Sequence, residues 1–590
     1  MSTQSGRAAW LRAPRLLLAG LTAVAFASAV PNGFVGIDHW QIESGGLIAH
    51  SWPDLWKALR EPLGAMPGWE GSAPYARPSV ILLLSLVHQL GGVDPRAYHL
   101  TAVLIHLANV LLAYGFLCAL AVEPPAAFFA SAIFAVHPLQ TAAVSWISGI
   151  ADPLCTLFVL IALRLQFATT RRQHRRGWLS AAAALSFLYA LGAKETAAML
   201  PLLLIVAYQL FPMLTPSPSD RPLRRGRAIL AMLAPFLLVL AAAALYRVAV
   251  LHGAAVGAAF GAIPLSVRLR TVPRLIVSYL TLPLRLGSLT VCDDYALSVR
   301  WESAAILATL AVVGLLVGLI ACRRRAPQAA FGLIWVLLGL APVLGIAPIL
   351  HYRADRFFYL PFIGWSLAMV TLLQRVVQRI APAARLRRAP VILASAAVLA
   401  LMALTIRRNA LFADDVTLFE ATVAASPLCR EAHTALGDAY LRAGRAGDGV
   451  AQYEAARAPE PERASYIVLP KVLINLGMAH LARADYAAAD AAFSEAHAQQ
   501  PELLHPLFGL GIANLGLGRI AAAVTWLEQA HDRAPDDPDI VLNLAIGYDR
   551  LGRPSDALPL YHRYLDVAPR GRERSLAEER IRLLRERVKE

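Results

Sequence analysis

The sequence predicts an all-α protein in two parts. A polytopic helical membrane domain is expected over residues 1–410, and an α-solenoid of helical hairpins over residues 411–574. Three observations carry this reading. Of 590 residues, 57% are hydrophobic and only 16% charged, against about 45–50% and about 25% in soluble domains. Arginines stand in short clusters between the apolar runs, and a pattern of fixed period fills the C-terminal part. The mean hydropathy of +0.53 agrees. A soluble metabolic enzyme, a disordered chain and a small secreted scaffold are excluded. Five cysteines (Cys118, Cys155, Cys292, Cys322, Cys429) are too few and too scattered for a disulfide framework or a zinc site. The net charge of +15 invites a nucleic-acid partner. That reading is rejected, because the excess lies between apolar runs, where the positive-inside rule places it.

The membrane elements follow in order. Arg7, Arg12 and Arg15 precede the apolar run Leu16–Val30, read as a retained first span with its N-terminus inside. Ala27-Ser28-Ala29 also has the form of a signal-peptide cleavage site. Residues 32–96 mix Trp40, Trp52, Trp56, Trp69 and Tyr75 with charges and prolines, which suits an external loop lying on the bilayer. Within it, Ser79–Leu90 is apolar but shorter than the ~20 residues a crossing helix needs, and reads as juxtamembrane or re-entrant. Further spans are expected at 97–120, 125–140, 152–169, 177–192, 195–211, 228–250, 302–321, 329–349, 357–374 and 390–406, about eleven in all. The stretch 266–290, with Arg268, Arg270, Arg274 and Arg285 among prolines, reads as interfacial. The arginine clusters at 171–176, 221–227, 323–325 and 375–388 then share one side, inside. An odd span count puts the C-terminus outside, which in a bacterial inner membrane is the periplasm.

Beyond residue 410 the period is 34. Gly477, Gly511 and Ala545 are 34 apart, as are Ala489, Ala523 and Ala557, then Phe493, Leu527 and Tyr561, then Pro501, Pro535 and Pro569. Small residues where two helices cross and a closing proline make this the tetratricopeptide pattern. An earlier unit with Gly437, Tyr440, Tyr453, Ala456 and Pro461 is offset by 40, which marks about six inserted residues near Glu462–Val468. Phe419 and Pro427 suggest a half unit before it, and residues 575–590 suit a capping helix. Such an array buries its apolar faces only against neighbours and offers a concave surface to a partner.

Ionisable residues in or beside spans are costly, and so are functional candidates. Asp38, in Gly36-Ile37-Asp38-His39-Trp40, sits just past the outer end of the first span, where a carboxylate can act as general base toward a hydroxyl, or simply face water in a turn. His137-Pro138, Trp146, Gly149 and Asp152 lie between the third and fourth spans, on the same side. Lys194-Glu195 forms the tip of a hairpin, as a phosphate ligand or as a salt-bridged cap. His351-Tyr352-Arg353-Ala354-Asp355-Arg356 precedes the tenth span, also outside, and an arginine fork suits phosphate. Asp293-Asp294-Tyr295 reads as a structural turn, because no further ligand spacing supports a metal. No nucleotide-cradling glycine motif is present. Together these features point to a lipid-phosphate-linked substrate.

The order of motifs resembles a known family. It runs from an acidic residue after the first span, through Tyr75-Ala76-Arg77-Pro78, Tyr98-His99 to His106 and Asn109, and Phe134-Ala135-Val136-His137-Pro138. It continues with Trp146 to Gly149 and Asp152, Lys194-Glu195-Thr196, and Arg356-Phe357-Phe358-Tyr359-Leu360-Pro361, and ends in tetratricopeptide repeats. This is similar to the transmembrane-and-tetratricopeptide-repeat O-mannosyltransferases and their bacterial relatives, in the class C glycosyltransferase superfamily (GT-C). The resemblance implies a GT-C-like membrane domain, a polyprenyl-phosphate sugar donor, and inverting transfer to an acceptor hydroxyl outside the cytoplasm. Asp38 would be the base. Arg353, Arg356 and Lys194 would bind the donor phosphate. His39, Arg77, His99, His137, Asp152 and Glu195 would support the pocket. The repeats would recruit an acceptor protein or glycan. Two departures stand out: Asp38-His39 where the family often has two carboxylates, and Gly149-Ile150 where it has a glycine-arginine step. The rival readings are a membrane-anchored repeat scaffold without activity and an enzyme like the O-antigen ligases. The large loop 32–96 comes early, whereas in such ligases the large loop comes late.

Overall fold

The computed structural model describes residues 2–58, 60, 77–171, 175–214, 222–251, 263–347, 349, 351–380, 388–458, 462–464 and 467–589. Part of the expected external loop, with Trp69, Tyr75 and Ala76, lies outside these residues, as do Arg172, Arg221, Arg385 and Arg387. The chain forms two compact units, Met1–Leu428 with Glu462–Ser465, and Cys429–Pro461 with Tyr466–Glu590. The division falls after Leu428, not at 410. The helix Asp415–Ala425, expected to begin the repeats, is bonded into the first unit through Asp415.

The first unit is a helical bundle, and a helix lies at every predicted span. Among the described residues, six helices are long and apolar enough to cross a membrane, a seventh if a bent pair is counted as one. The segments at the first, sixth and ninth predicted spans, Ala13–Ala29, Glu195–Leu210 and Pro327–Val343, are shorter apolar helices. The bend is local chemistry. Pro138 has no N–H to continue the helix Pro124–Val136, and the chain turns by 49° into Pro138–Val144. Asp94 starts the helix Pro95–Ala119 by accepting the Arg96 N–H at 3.0 Å ahead of a favourable first-turn proline.

Burial sorts the helices into centre and rim. Ile147–Thr170 and Asp355–Ile380 are 72% and 67% buried, whereas Gly226–Ala249, Ser303–Cys322 and Ala389–Phe412 are only 17%, 17% and 11% buried although strongly apolar. Apolar side chains facing outward are stable when the surroundings are hydrocarbon, so these three form a lipid-facing rim. The centre packs Pro95–Ala119 against Ala151–Arg171, Pro124–Val136 and the first helix, and sets Pro124–Val136 against Tyr359–Ile380. The inserted residues of the repeat region form a two-residue strand, Arg463–Ala464, antiparallel to Tyr295–Ala296.

The second unit stacks four helical hairpins and a last helix. Arg430–Arg442 packs on Ala446–Arg457, Leu469–Ala482 on Tyr486–Gln499, Leu504–Gly516 on Ile520–Arg533, and Pro538–Arg550 on Pro554–Val567, followed by Arg574–Lys589. The 34-residue period has a steric cause. A Cβ on Gly477 would lie 2.7 Å from the buried Phe493 ring, and one on Gly437 2.7 Å from the Tyr453 ring. Each hairpin therefore closes only on a small residue.

Gly477→Ala should lower the stability of the repeat unit. Overpacking a tight site costs about 1–3 kcal/mol, more than the ~1 kcal/mol that helical alanine gains over glycine. Gly447→Ala, where nothing lies within 4 Å, should stabilise by about 0.4–1 kcal/mol. Thermal melts of the two variants should therefore move in opposite directions.

Candidate functional site

The loop after the first helix is shaped by a glycine. Gly36 takes φ +59, a left-handed conformation that other residues adopt at a cost. The chain then makes one wide helical turn, His39–Glu43, with Asp38 at its start. The Asp38 side chain is fully buried. Its Oδ2 accepts the Val35 N–H at 3.2 Å, and its Oδ1 accepts the Ser148 N–H at 2.8 Å and the Ser148 hydroxyl. Burial pushes this carboxyl up to about 7, although Ser148, Val35 and the neighbouring His39 oppose the rise. His39 lies between the carboxylates of Glu43 and Asp415, with Asp415 3.0 Å from Nε2. Its hydrogen bond to Asp415 is the main reason its pKa is pushed up to about 9.

Ser148 belongs to the turn Ile147–Ile150 that leads into the helix Ala151–Arg171. Two residues before it, the Trp146 indole donates to the Val35 carbonyl at 3.2 Å. The Arg356 guanidinium lies over the Trp146 ring at 5.2 Å and over Phe357 at 5.3 Å. Arg356 also donates to the Val291 carbonyl at 3.2 Å and, among the described residues, makes no ion pair. On the far side of the turn, Asp152 receives the Lys194 ammonium on both oxygens, at 2.6 and 2.7 Å, with both side chains buried. Lys194 also lies 4.4 Å from the centre of the Phe357 ring. The charges of Arg77 and Arg356 reach Lys194, and Glu195 faces Arg247 at 3.7 Å. One segment, Trp146–Asp152, thus joins a buried carboxylate to a group in which cations outnumber carboxylates.

The other predicted residues have different surroundings. Asp293 holds Arg353 at 2.6 Å and also accepts the Ser426 hydroxyl at 3.1 Å. His99 lies 3.2 Å from the Gly33 carbonyl, and His137 is 3.0 Å from that of Pro283 while accepting the Leu139 N–H. These histidines anchor backbone. Asp355 accepts the Thr290 N–H at 2.7 Å and faces Arg408 at 3.7 Å. Among the described residues, no group of three or more His, Cys, Asp or Glu side chains is arranged to hold a metal.

Three participants escaped the sequence reading. Ser148 lies inside the quoted Trp146–Gly149 run, but its neighbours gave no reason to single it out. Asp415 stands in the acidic pair after the last predicted span, where the repeat spacing marked only Phe419 and Pro427. Asn409 accepts the Ser145 hydroxyl at 2.8 Å and donates to the Ala25 carbonyl at 2.8 Å. It stood beside Arg407 and Arg408 as one more residue at a helix end.

The chain is similar to protein O-mannosyl-transferases. Protein O-mannosyl-transferase TMTC2 of Mus musculus is 37% identical over 117 residues, 20% of this chain and 14% of that protein. Tmtc1 of Drosophila melanogaster is 32% identical over 186 residues, 30% of this chain and 21% of that one. The chain therefore spans 14% and 21% of the length of these O-mannosyl-transferases. No protein-family model matches the chain. Among solved structures, that of MamA is 17% identical over 26% of this chain and 86% of its own, with a TM-score of 0.24. YrrB, described as a TPR protein with an unusual peptide-binding site, is 15% identical over 28% and 80%, also at 0.24.

Lys194→Ala should destabilise the first unit by about 3–5 kcal/mol, because Asp152 is left as a buried, unanswered charge. The double variant Asp152→Leu/Lys194→Met should lose less. Denaturation of the detergent-solubilised variants measures the difference.

Proposed function

We propose that this chain is an integral-membrane glycosyltransferase of the class C type. It would move a sugar from a polyprenyl-phosphate donor to an acceptor hydroxyl, in the manner of a protein O-glycosylating enzyme. The observation that carries this is Arg356, stacked on Trp146 and, among the described residues, without an ion-pair partner, two residues along the turn from the serine that holds buried Asp38. Asp38 takes the proton of the acceptor hydroxyl. The freed oxygen attacks the anomeric carbon of the donor and inverts it, and the sugar–phosphate bond breaks. Arg356 and Lys194 receive the charge that grows on the departing phosphate, the guanidinium through its planar fork. Arg353, engaged by Asp293, is left to position the loop before Arg356. Similarity to named O-mannosyl-transferases supports the transfer chemistry.

We place the protein in a bacterial inner membrane, with Asp38 and the repeats both on the periplasmic side. The support is the arginine parity: clusters inside and an odd number of crossings. The repeats would recruit the acceptor, a protein or a glycan. The test is transfer by the purified protein from polyprenyl-phosphate sugars to periplasmic acceptors. Partner binding without any transfer would select the scaffold reading, and transfer only from diphosphate-linked oligosaccharides would select the ligase reading.

Asp38→Asn should abolish transfer while leaving expression and folding intact, and near-normal turnover would remove Asp38 from the mechanism. Because the carboxyl must be ionised and its pKa is about 7, wild-type kcat/KM should rise as pH increases through about 7. Arg356→Lys should raise KM for the donor, since lysine keeps the charge and loses the fork. Gln499→Cys should react with a membrane-impermeant thiol reagent in cells whose inner membrane is intact.

A further inference from the structure

The loop that carries Asp38 is fastened at four points to one distant segment of the same unit. The Asn32 side chain donates to the Asn409 carbonyl at 2.9 Å, and the Gly33 N–H to the Ala413 carbonyl at 3.1 Å. The last two points both fall on Asp415. Its Oδ1 accepts the Gly36 N–H at 2.6 Å, and its Oδ2 is 3.0 Å from His39 Nε2. These two partners flank Asp38 in sequence, one on either side. A carboxylate that takes both clamps the turn between them. The φ +59 of Gly36 aims its N–H at this acceptor, and a buried N–H without an acceptor is costly.

We propose that Asp415 is a positioning residue, which fixes the Gly36–His39 turn so that Asp38 stays on Ser148 and which holds His39 as an imidazolium beside Asp38. The proposal rests on the reading of Asp38 as the base. A ring with a carboxylate at each nitrogen must donate from both, and only the protonated form does so. The titratable groups facing His39 are Glu43 on its own turn, Asp415 on the helix Asp415–Ala425, and Asp38 beside it. The positive ring in turn favours the ionised form of Asp38 and offsets part of the burial that raises it. His39 thus does by charge, and not by ligation, part of what makes Asp38 usable near neutral pH.

The experiment uses the full chain in nanodiscs with two variants. Asp415→Asn keeps an acceptor for the Gly36 N–H and loses the charge. Asp415→Ala loses both. Three quantities are read: the titration of His39 by NMR of labelled histidine, assigned with His39→Gln; amide exchange at Gly36; and the pH profile of transfer. In both variants the His39 titration should fall from about 9 toward the ordinary imidazole value. Gly36 exchange should accelerate at least about tenfold in Asp415→Ala and much less in Asp415→Asn. The acid limb of kcat/KM should move upward in Asp415→Asn. A move of about one pH unit makes transfer at pH 7 about fivefold slower and restores it in more alkaline buffer. Unchanged Gly36 exchange and His39 titration in Asp415→Ala would overturn the proposal whatever Asp38 does. An unmoved acid limb with a shifted His39 would overturn the electrostatic half. Near-normal transfer by Asp38→Asn, run in parallel, would strike the base assignment instead, and the first two readouts would still decide on the clamp.

Discussion

A carboxylate taken out of water has to be answered by donors, and the arrangement around Asp38 follows from that requirement. Its donors are two backbone N–H groups and one hydroxyl, all neutral. They satisfy its lone pairs without the strong pull that a paired arginine would exert. The carboxyl is therefore held in place and still protonates near neutrality, the condition a general base needs. A buried lysine or arginine in the place of Ser148 would have pinned it ionised and blunted its basicity. Lys194 lies on Asp152, Arg353 on Asp293 and Arg356 over an aromatic face, so the cation that acts on Asp38 is the neighbouring His39 ring, by charge and without a hydrogen bond.

The bundle turns the usual inside-out logic to use. Its rim helices expose leucine, valine and isoleucine because hydrocarbon solvates them, which frees the central helices to bury polar residues. His106 against the Tyr359 hydroxyl at 2.6 Å, and Asn109 against Pro153 and Tyr359, illustrate it. The His106 ring and the Asn109 amide N–H groups thus find partners within the bundle, where leaving them unpaired would be expensive. The polar centre thereby ties the helices that deliver Trp146, Asp152 and Arg356.

Much of the fold was legible because its signals are periodic. A 34-residue repeat and a run of apolar segments survive without any knowledge of contacts. The helix starting at Asp415 kept the spacing of Phe419 and Pro427 but not the packing, since Asp415 is bonded into the loop beside Asp38. Spacing cannot reveal which neighbour a helix chooses. Among candidate residues, Asp38, Lys194, Arg353 and Arg356 share one local signature, their cost beside apolar runs, and it does not show that Lys194 pairs with Asp152 and Arg353 with Asp293. Only a contact across 60 positions in sequence separates the two arginines. Ser148 and Asn409 are neutral and common, so nothing in composition marks them.

The short strand Arg463–Ala464 makes the first unit discontinuous along the chain. It supplies the pairing partner of Tyr295–Ala296, and Arg463 donates to the Asp294 carbonyl at 2.8 Å. The bridge between Asp293 and Arg353 lies directly beside that pairing. No single cut therefore separates the two units cleanly. A chain ending at Leu428 would leave the Tyr295–Ala296 edge bare beside the arginine loop. An exchange of repeats with another protein would carry away a piece of the membrane unit unless residues 462–465 stayed behind. An insertion that looks like a blemish in the repeat thus sets how the two halves of the gene can recombine.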